Sequence, residues 1–325
     1  MEYIKLGNAG LRVSEIVLGC MSFGEPGRGN HAWSLPEDES RPFIEQALAA
    51  GINTFDTADV YSDGSSEEIV GRALKDMAKR EEVVIASKIN GRMYPGPHGM
   101  GLSRAHIMTG IDASLKRLGT DYIDLYQIHR FDPTVPVEET MQALDDVVRA
   151  GKVRYIGASS MAAWQFAKMQ YTADLGGWTR FISMQDQYNL LMREEEREML
   201  PFCLDQGVGV IPWSPLARGY VTRPWGTATH RTQNDQFGSD LYQQQVGADK
   251  SIIDAVASIA KVRGVTMAQV ALAWVSSNPA VTAPIVGVTK QQHLTDAIAS
   301  LKITLTAEEL DLLESPYVPQ TPEGF

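Results

Sequence analysis

The sequence predicts a single (β/α)8 barrel, a TIM barrel, with an N-terminal β-hairpin and long loops at the carboxyl-terminal face. Two observations carry this reading. A short β-branched run followed by a segment of helical period recurs along the whole chain, and eight such runs follow an opening hairpin. No composition break or linker divides the chain, so one domain over residues 1–325 is expected rather than a doubly wound sheet with a second domain.

The hairpin is YIKLG-NAG-LRV, and the strand candidates after it are Ser14–Cys20, Ile52–Asp56, Val83–Lys88, Tyr122–His129, Val153–Ser159, Phe181–Gln185, Val208–Trp213 and Ala283–Val288. Helix boundaries between them are signalled chemically. Ser65-Ser66-Glu67-Glu68 has capping-box spacing, and Ile69, Ala73, Leu74 and Met77 then recur at intervals of three and four. Ser103 opens another helix, with Ile107, Ile111, Leu115 and Leu118 on one face and Gly119 placed to end it; Ala150-Gly151 closes a third. Parallel strands cannot be joined by a tight hairpin, so this alternation implies crossover helices. Three polar, irregular stretches, Glu25–Ser40, Gly91–Leu102 and Gly219–Lys250, follow the first, third and seventh strands and belong over the active face.

Composition narrows the function. With 44% apolar and 21% charged residues the chain is an ordinary globular one, and no stretch approaches the ~20 apolar residues of a membrane span. The opening MEYIKLGNAGLRVSE has neither the basic region nor the apolar core of a secretory signal, so a cytoplasmic location is expected. Against 29 Lys and Arg stand 40 Asp and Glu, a net charge of −11, and no basic run exceeds two residues, which argues against nucleic acid as a partner. Cys20 and Cys203 have no CxxC spacing and read as buried apolar thiols. His31, His98, His106 and His230 lack acidic or thiol partners at ligand spacing, so no metal is assigned. There is no HExxH, Walker A or GxSxG motif, and no Tyr is followed by Lys four positions on.

In such a barrel chemistry sits where apolar strands end in polar residues. Asp56 ends INTFD, Tyr61 follows five residues later, Lys88 ends VVIASK and His129 ends IDLYQIH. Singly, each has an ordinary explanation: a turn cap, a surface aromatic, a snorkelling amine, a satisfied core histidine. Together, on three consecutive strands, they make a proton donor for a carbonyl. A nearby Lys88 ammonium would lower the Tyr61 phenol from about 10, Asp56 would keep Lys88 charged, and His129 would hydrogen-bond the reacting oxygen.

GINTFDTADVYSDGSSEEIVGRAL, VVIASKI, LGTDYIDLYQIHR, VRYIGASSM and IPWSPLARG together resemble the aldo-keto reductases, in the same order and over essentially the whole chain. The likeness is greatest to the bacterial aryl-alcohol-dehydrogenase-like branch, including YajO-type reductases. The family's catalytic tetrad falls on Asp56, Tyr61, Lys88 and His129. The resemblance implies NADP(H) bound across the barrel mouth without a Rossmann domain, and the superficial GxGxxG at Gly27-Arg28-Gly29-Asn30-His31-Ala32 opens no helix. It assigns Ser159 and Gln185 to the carboxamide, Trp213 to stacking on nicotinamide, and Ser214, Leu216, Arg218 and Gly219 to the pyrophosphate, with Gly19, Met21 and Asp56 at the cofactor as well. The adenosine end falls on Gly287, Thr289, Lys290 and His293. Here the chain departs from the pattern: Gly287-Val288 replaces a common Lys-Ser pair, His293 a common Arg, Ser160 an Asn or Arg, and Ala297 an Asn. Thr289 and Lys290 are left as candidates for a 2′-phosphate, so NADP(H) is favoured and NAD(H) is an alternative.

The expected function is reduction of aldehydes or ketones, with Tyr61 as general acid and a small-molecule carbonyl compound as partner. Trp33, Tyr61, Met93, Tyr94, His129, Arg130 and Trp225 are the candidate substrate contacts. Arg130 either selects anionic or phosphorylated aldehydes or makes a surface or loop-anchoring salt bridge. A second reading is a redox-sensing or nucleotide-sensing binding module resembling channel β subunits. A carbohydrate-processing barrel is disfavoured because Asp56 is the only strongly placed rim carboxylate.

Overall fold

All eight expected parallel strands form, in the expected order, in a computed structural model that describes residues 1–29, 31–227, 241–242 and 245–322. The hairpin is β1 (Tyr3–Lys5) antiparallel to β2 (Arg12–Ser14). Then β3 (Val17–Gly19), β4 (Thr54–Asp56), β5 (Val84–Ile89), β6 (Ile123–Ile128), β7 (Val153–Ser159), β8 (Phe181–Gln185) and β9 (Gly209–Val210) each pair in parallel with the next. The last strand, β10 (Ile285–Gly287), returns to β3, with Ile285 opposite Val17. Between β9 and β10 closure rests on a parallel bridge of Val210 to Val281 and on the Thr282 N–H donating to Val210 O at 2.7 Å. The seventh and eighth strands are shorter than the sequence suggested, because Pro212 and Pro284 have no N–H to continue a ladder. The first loses Ser14 to the hairpin and Cys20 to a 3-10 turn over Cys20–Ser22.

Helices α1 (Glu37–Ala49), α2 (Ser65–Met77), α3 (Arg104–Leu118), α4 (Val137–Arg149), α5 (Ala163–Gly176) and α6 (Met199–Gln206) are the crossovers up to β9. They are followed by α7 (Val246–Arg263), α8 (Met267–Ser277), α9 (Gln291–Ser300) and α10 (Ala307–Glu314). The loop expected over Gly219–Lys250 therefore ends earlier, at the start of α7; residues 228–240 and 243–244, with His230, lie outside the described residues, as does Asn30. Ser103 caps α3 by accepting from the His106 N–H, and Gly119 ends it at φ 64°. The capping box foreseen for α2 does not form. Its N-cap is Gly64, and Glu67 is instead buried, accepting from Ser87 Oγ at 2.5 Å and from Arg117 Nε at 2.6 Å, so that it ties α2 to β5 and α3.

Strands β5 and β6 are buried along their full length, as parallel strands covered on both sides must be. One face packs on the helices. The other fills the barrel, where Leu6 and Val13 of the hairpin join Val17, Val84, Ala86, Leu125, Ile211 and Ala283. The hairpin thus plugs the amino end. Because side chains alternate with period two, the inward rows run Thr54 then Asp56, Ala86 then Lys88, Leu125 then Gln127, and Ser183 then Gln185, becoming polar toward the carboxyl end. Cys20 and Cys203 are both buried, and burial pushes both thiols up. Among the described residues no single helix is long and apolar enough to cross a membrane.

Helices α2 and α3 meet so closely at Gly71 that a Cβ there would stand 2.2 Å from the Leu118 carbonyl oxygen. Alanine gains about 0.5–1 kcal/mol of helix propensity at such a site, but a backbone obstacle of this kind costs about 1–3 kcal/mol. Gly71→Ala is therefore expected to lower the thermal midpoint, and an unchanged or raised midpoint would contradict this packing.

Candidate active site

The four carboxyl-end residues converge. Lys88, wholly buried at the end of β5, donates from Nζ to Asp56 Oδ1 at 2.5 Å, to Thr57 O at 2.9 Å and to the Tyr61 hydroxyl at 3.2 Å. Three ammonium donors meet three acceptors. The second Asp56 oxygen accepts from Gln185 Nε2 at 2.8 Å and from Gln127 Nε2 at 3.1 Å. Gln127 escaped the sequence reading because it sits inside an apolar run; its signal was the inward period that also gives Leu125 and His129. Tyr61 lies edge-on to His129, ring centroids 5.8 Å apart, and edge-on to His31 at 6.0 Å.

Electrostatics in this pocket follow from burial. Burial alone would push the Lys88 ammonium down, but Asp56 and Tyr61 outweigh it and its pKa stands above the ordinary value. Burial raises the Tyr61 phenol; Lys88 pulls it down, as the sequence led us to expect, and Arg130 does the same, but Asp56 pushes it back and the balance is above the ordinary value. Burial holds the His129 imidazole well below its usual range, and Lys88, Arg130 and His31 push the same way, so it is neutral.

Above the tetrad opens a cavity of about 810 Å³. Its lining holds Gly19, Met21, Trp33, Asp56, Tyr61, His129, Arg130, Ser159, Gln185, Trp213, Ser214, Leu216, Arg218 and Gly219, and its far end reaches Gly287, Thr289, Lys290 and His293. Three expected substrate contacts stand apart. Tyr94 is exposed and donates its hydroxyl to His98 O at 2.7 Å, Met93 lies on the same loop, and Trp225 packs against the core; none of them lines the cavity. Tyr94 follows from a loop that folds on itself, which residue type alone could not reveal.

The walls suit a long, phosphate-bearing ligand. Trp213 is held by its Nε1 donating to Ser160 Oγ at 2.9 Å, and Ser160 adopts φ 47°. Gln185 uses both amide hydrogens on Asp56 and Gln127, so it can offer a carboxamide only its oxygen. Ala217, Arg218 and Gly219 are all left-handed, at φ 46°, 52° and 92°, and the turn is closed on itself by the Ala217 N–H donating to Ser214 O at 2.9 Å and the Gly219 N–H to Leu216 O at 2.7 Å. Arg223 was not foreseen: it lines the cavity and its Nη2 is buried without a hydrogen-bond partner among the described residues, a donor suited to a phosphate oxygen. At Gly287 a Cβ would meet nothing within 4 Å, so open space lies beside this position.

Comparison with known proteins agrees with this geometry. The profile of the Aldo/keto reductase family matches residues 15–317. The chain is 49% identical over 340 residues to the versiconal hemiacetal acetate reductase of Aspergillus parasiticus, covering 98% of each. It is 44% identical over 344 residues to a provisionally named aryl-alcohol dehydrogenase of Saccharomyces cerevisiae, again 98% of each. It is 43% identical over 348 residues to an aldo-keto reductase of Alternaria alternata, covering 99% of this chain and 93% of that one. These relatives are fungal and give no support to the bacterial, YajO-type placement expected from the motifs.

Lys88→Met leaves a buried carboxylate without its cation, which typically costs about 3–5 kcal/mol. Denaturant unfolding should show most of that loss, and pairing the change with Asp56→Asn should recover part of it. In a tyrosinate absorbance titration, the difference between wild type and Tyr61→Phe should appear only above about pH 10. A Tyr61 that ionises near neutrality would contradict the burial argument.

Proposed function

The chain belongs to the aldo/keto reductase family, and from that premise we propose that it reduces aldehydes or ketones to alcohols with NADP(H), Tyr61 supplying the proton. The observation that carries this reading is the Lys88 ammonium bound at once to Asp56 and to the Tyr61 hydroxyl on the floor of the cavity. Reductase-named relatives over the full length support it. The reading includes a single barrel unit over residues 1–325 acting in the cytoplasm on a small molecule, with no nucleic acid or membrane as partner.

The nicotinamide, when bound, supplies the hydride. The protein's own groups manage the proton. Tyr61 is a neutral phenol across the physiological range because burial raises it, so it donates to a carbonyl oxygen as negative charge builds there. The phenolate left behind is stabilised by the ammonium 3.2 Å away, which Asp56 keeps charged. The Gln127 and Gln185 amides hold the other Asp56 oxygen and keep that carboxylate from competing for the proton. His129, neutral, offers a hydrogen bond that positions the carbonyl. Trp213 would give a flat wall for the nicotinamide, Ser159 and the Gln185 oxygen would address its carboxamide, and Ser214, Leu216, Arg218, Gly219 and Arg223, which line the same cavity, would hold the pyrophosphate. Thr289 and Lys290 are the residues for a 2′-phosphate, which favours NADP(H) over NAD(H). The aryl-alcohol-dehydrogenase likeness extends the proposal to aromatic carbonyl substrates, which the Trp33 and Trp213 walls suit.

Following NADPH absorbance with a panel of aldehydes, then repeating with NADH, tests the activity. Tyr61→Phe should lose about 10²–10⁴-fold in kcat while NADPH binding is retained, the usual worth of a general acid. A variant with wild-type turnover would refute the assignment. Many turnovers with free exchange of cofactor are expected; one turnover with the cofactor held would favour the nucleotide-sensing reading instead. Reduction needs the protonated phenol, so its rate should not fall through Tyr61 until above about pH 10. Alcohol oxidation needs the phenolate, so its rate should climb with pH over the same range.

A further inference from the structure

Arg130 follows His129 at the carboxyl end of β6 and lines the cavity with Tyr61, His129 and Trp213. Several partly buried arginines of this protein are matched by acids: Arg80 by Asp124, Arg117 by Glu67, Arg193 by Glu196 and Glu314, Arg263 by Glu309. Arg130 is not. Its Nη1 donates to the His129 carbonyl at 2.6 Å, and its Cζ lies 5.9 Å from the centre of the Trp213 ring. Its own carbonyl accepts from Asn90 Nδ2 at 3.1 Å, which fixes the backbone beneath it. No carboxylate among the described residues comes within the 4.0 Å of an ion pair. That removes the loop-anchoring salt bridge as an explanation.

A guanidinium carries five N–H donors and cannot shed its charge. Burial destabilises this one, and the groups that favour its charge are the Tyr61 phenol and Asp186. Asp186 is itself buried, and among the described residues neither of its carboxylate oxygens has a side-chain partner and the two side chains form no ion pair. A partly buried cation without a hydrogen-bonded anion is less well compensated than one in an ion pair. Here it faces the chamber into which Tyr61 and His129 project, beside the apolar walls of Trp33 and Leu35.

We infer that the substrate is an aldehyde or ketone bearing a carboxylate, which Arg130 binds in a paired, charge-assisted contact while the carbonyl oxygen lies at Tyr61 and His129. The inference rests on the reductase reading above and names its substrate class. A planar carboxylate matches the guanidinium fork, and its charge replaces the missing acid. Arg130 also favours ionised Tyr61, so its removal should slow every substrate somewhat. The specific effect is therefore the ratio between charged and neutral substrates.

The test uses the full chain with NADPH and the ortho, meta and para carboxybenzaldehydes, each beside its methyl ester. For at least one isomer the wild-type kcat/KM should favour the acid by about tenfold or more, and Arg130→Met should abolish that preference, mainly through KM. Arg130→Lys keeps the charge without the fork and should fall between; it also decides the matter if Arg130→Met does not fold. A preference that Arg130→Met leaves unchanged, or a wild type that favours the ester at all three positions, overturns the inference. Binding gives a second readout. Terephthalate should bind the NADPH-loaded wild type about tenfold more tightly than it binds NADPH-loaded Arg130→Met, with dimethyl terephthalate indifferent to the change. An NADPH Kd that rises as much in the variant would assign the guanidinium to the cofactor and also overturn it. If wild type reduces no aldehyde, charged or neutral, the reductase reading itself fails; if the esters are reduced and the ratio ignores Arg130, only the carboxylate inference does.

Discussion

An ammonium and a carboxylate held out of water set the terms for the whole carboxyl end of this barrel. Lys88 is fully buried and Asp56 only 2% exposed. Two such charges cost several kcal/mol each to desolvate, and the structure tolerates them because every valence is met. The ammonium has Asp56, the Thr57 carbonyl and Tyr61; the carboxylate has Lys88 and two glutamine amides. The arrangement leaves no freedom. Tyr61 stands on the loop after β4, yet its oxygen is fixed by an ammonium rooted in β5, so a loop residue acquires the precision of the sheet. Four strands, β4, β5, β6 and β8, must hold their register for the network to exist.

That register was largely legible in the sequence, and the reasons are physical. Lys88 and His129 betrayed themselves because an ionisable residue at the end of an apolar run has few places to go except the open end of a barrel. Ser103 and Gly119 bounded α3 as expected because their chemistry is local. What could not be read depended on distant partners. The capping box at α2 looked complete, but Glu67 was claimed by Ser87 and Arg117 from other elements. Gln127 and Arg223 carry no motif, and only the closed barrel shows what they face. Tyr94 and Trp225 were placed over the site by residue type and loop position, while the actual course of their loops takes them elsewhere.

The two ends of the barrel divide the work. The hairpin inserts Leu6 and Val13 beneath the inward layer of Val17, Val84 and Leu125, so that end is filled with apolar side chains and sealed. Polar inward positions are then affordable only in the uppermost layer, where Asp56, Lys88, Gln127 and Gln185 satisfy one another. Period-two alternation makes this separation possible: moving two residues along a strand keeps the face and changes the layer. A one-residue slip in β5 would turn Lys88 toward the helices and Ser87 into the barrel.

The most instructive balance concerns the phenol. The cation beside Tyr61 pulls its hydroxyl toward ionisation as expected, but burial outweighs both Lys88 and Arg130 and leaves it harder to ionise. For reduction this is the useful sign, since a donor must hold its proton until the carbonyl oxygen demands it. The same burial, reinforced by the same two cations, keeps His129 neutral, with a single ring N–H. Lys88 and Arg130 already place two positive charges around the chamber, and a third on His129 would have to form against both with little water to screen it. Of the two groups whose rings lie 5.8 Å apart, Tyr61 is therefore the acid at neutral pH, since losing its proton leaves a charge that its cationic neighbours favour, while neutral His129 only donates a hydrogen bond. The direction of proton flow follows from charge balance in the pocket, before any substrate enters it.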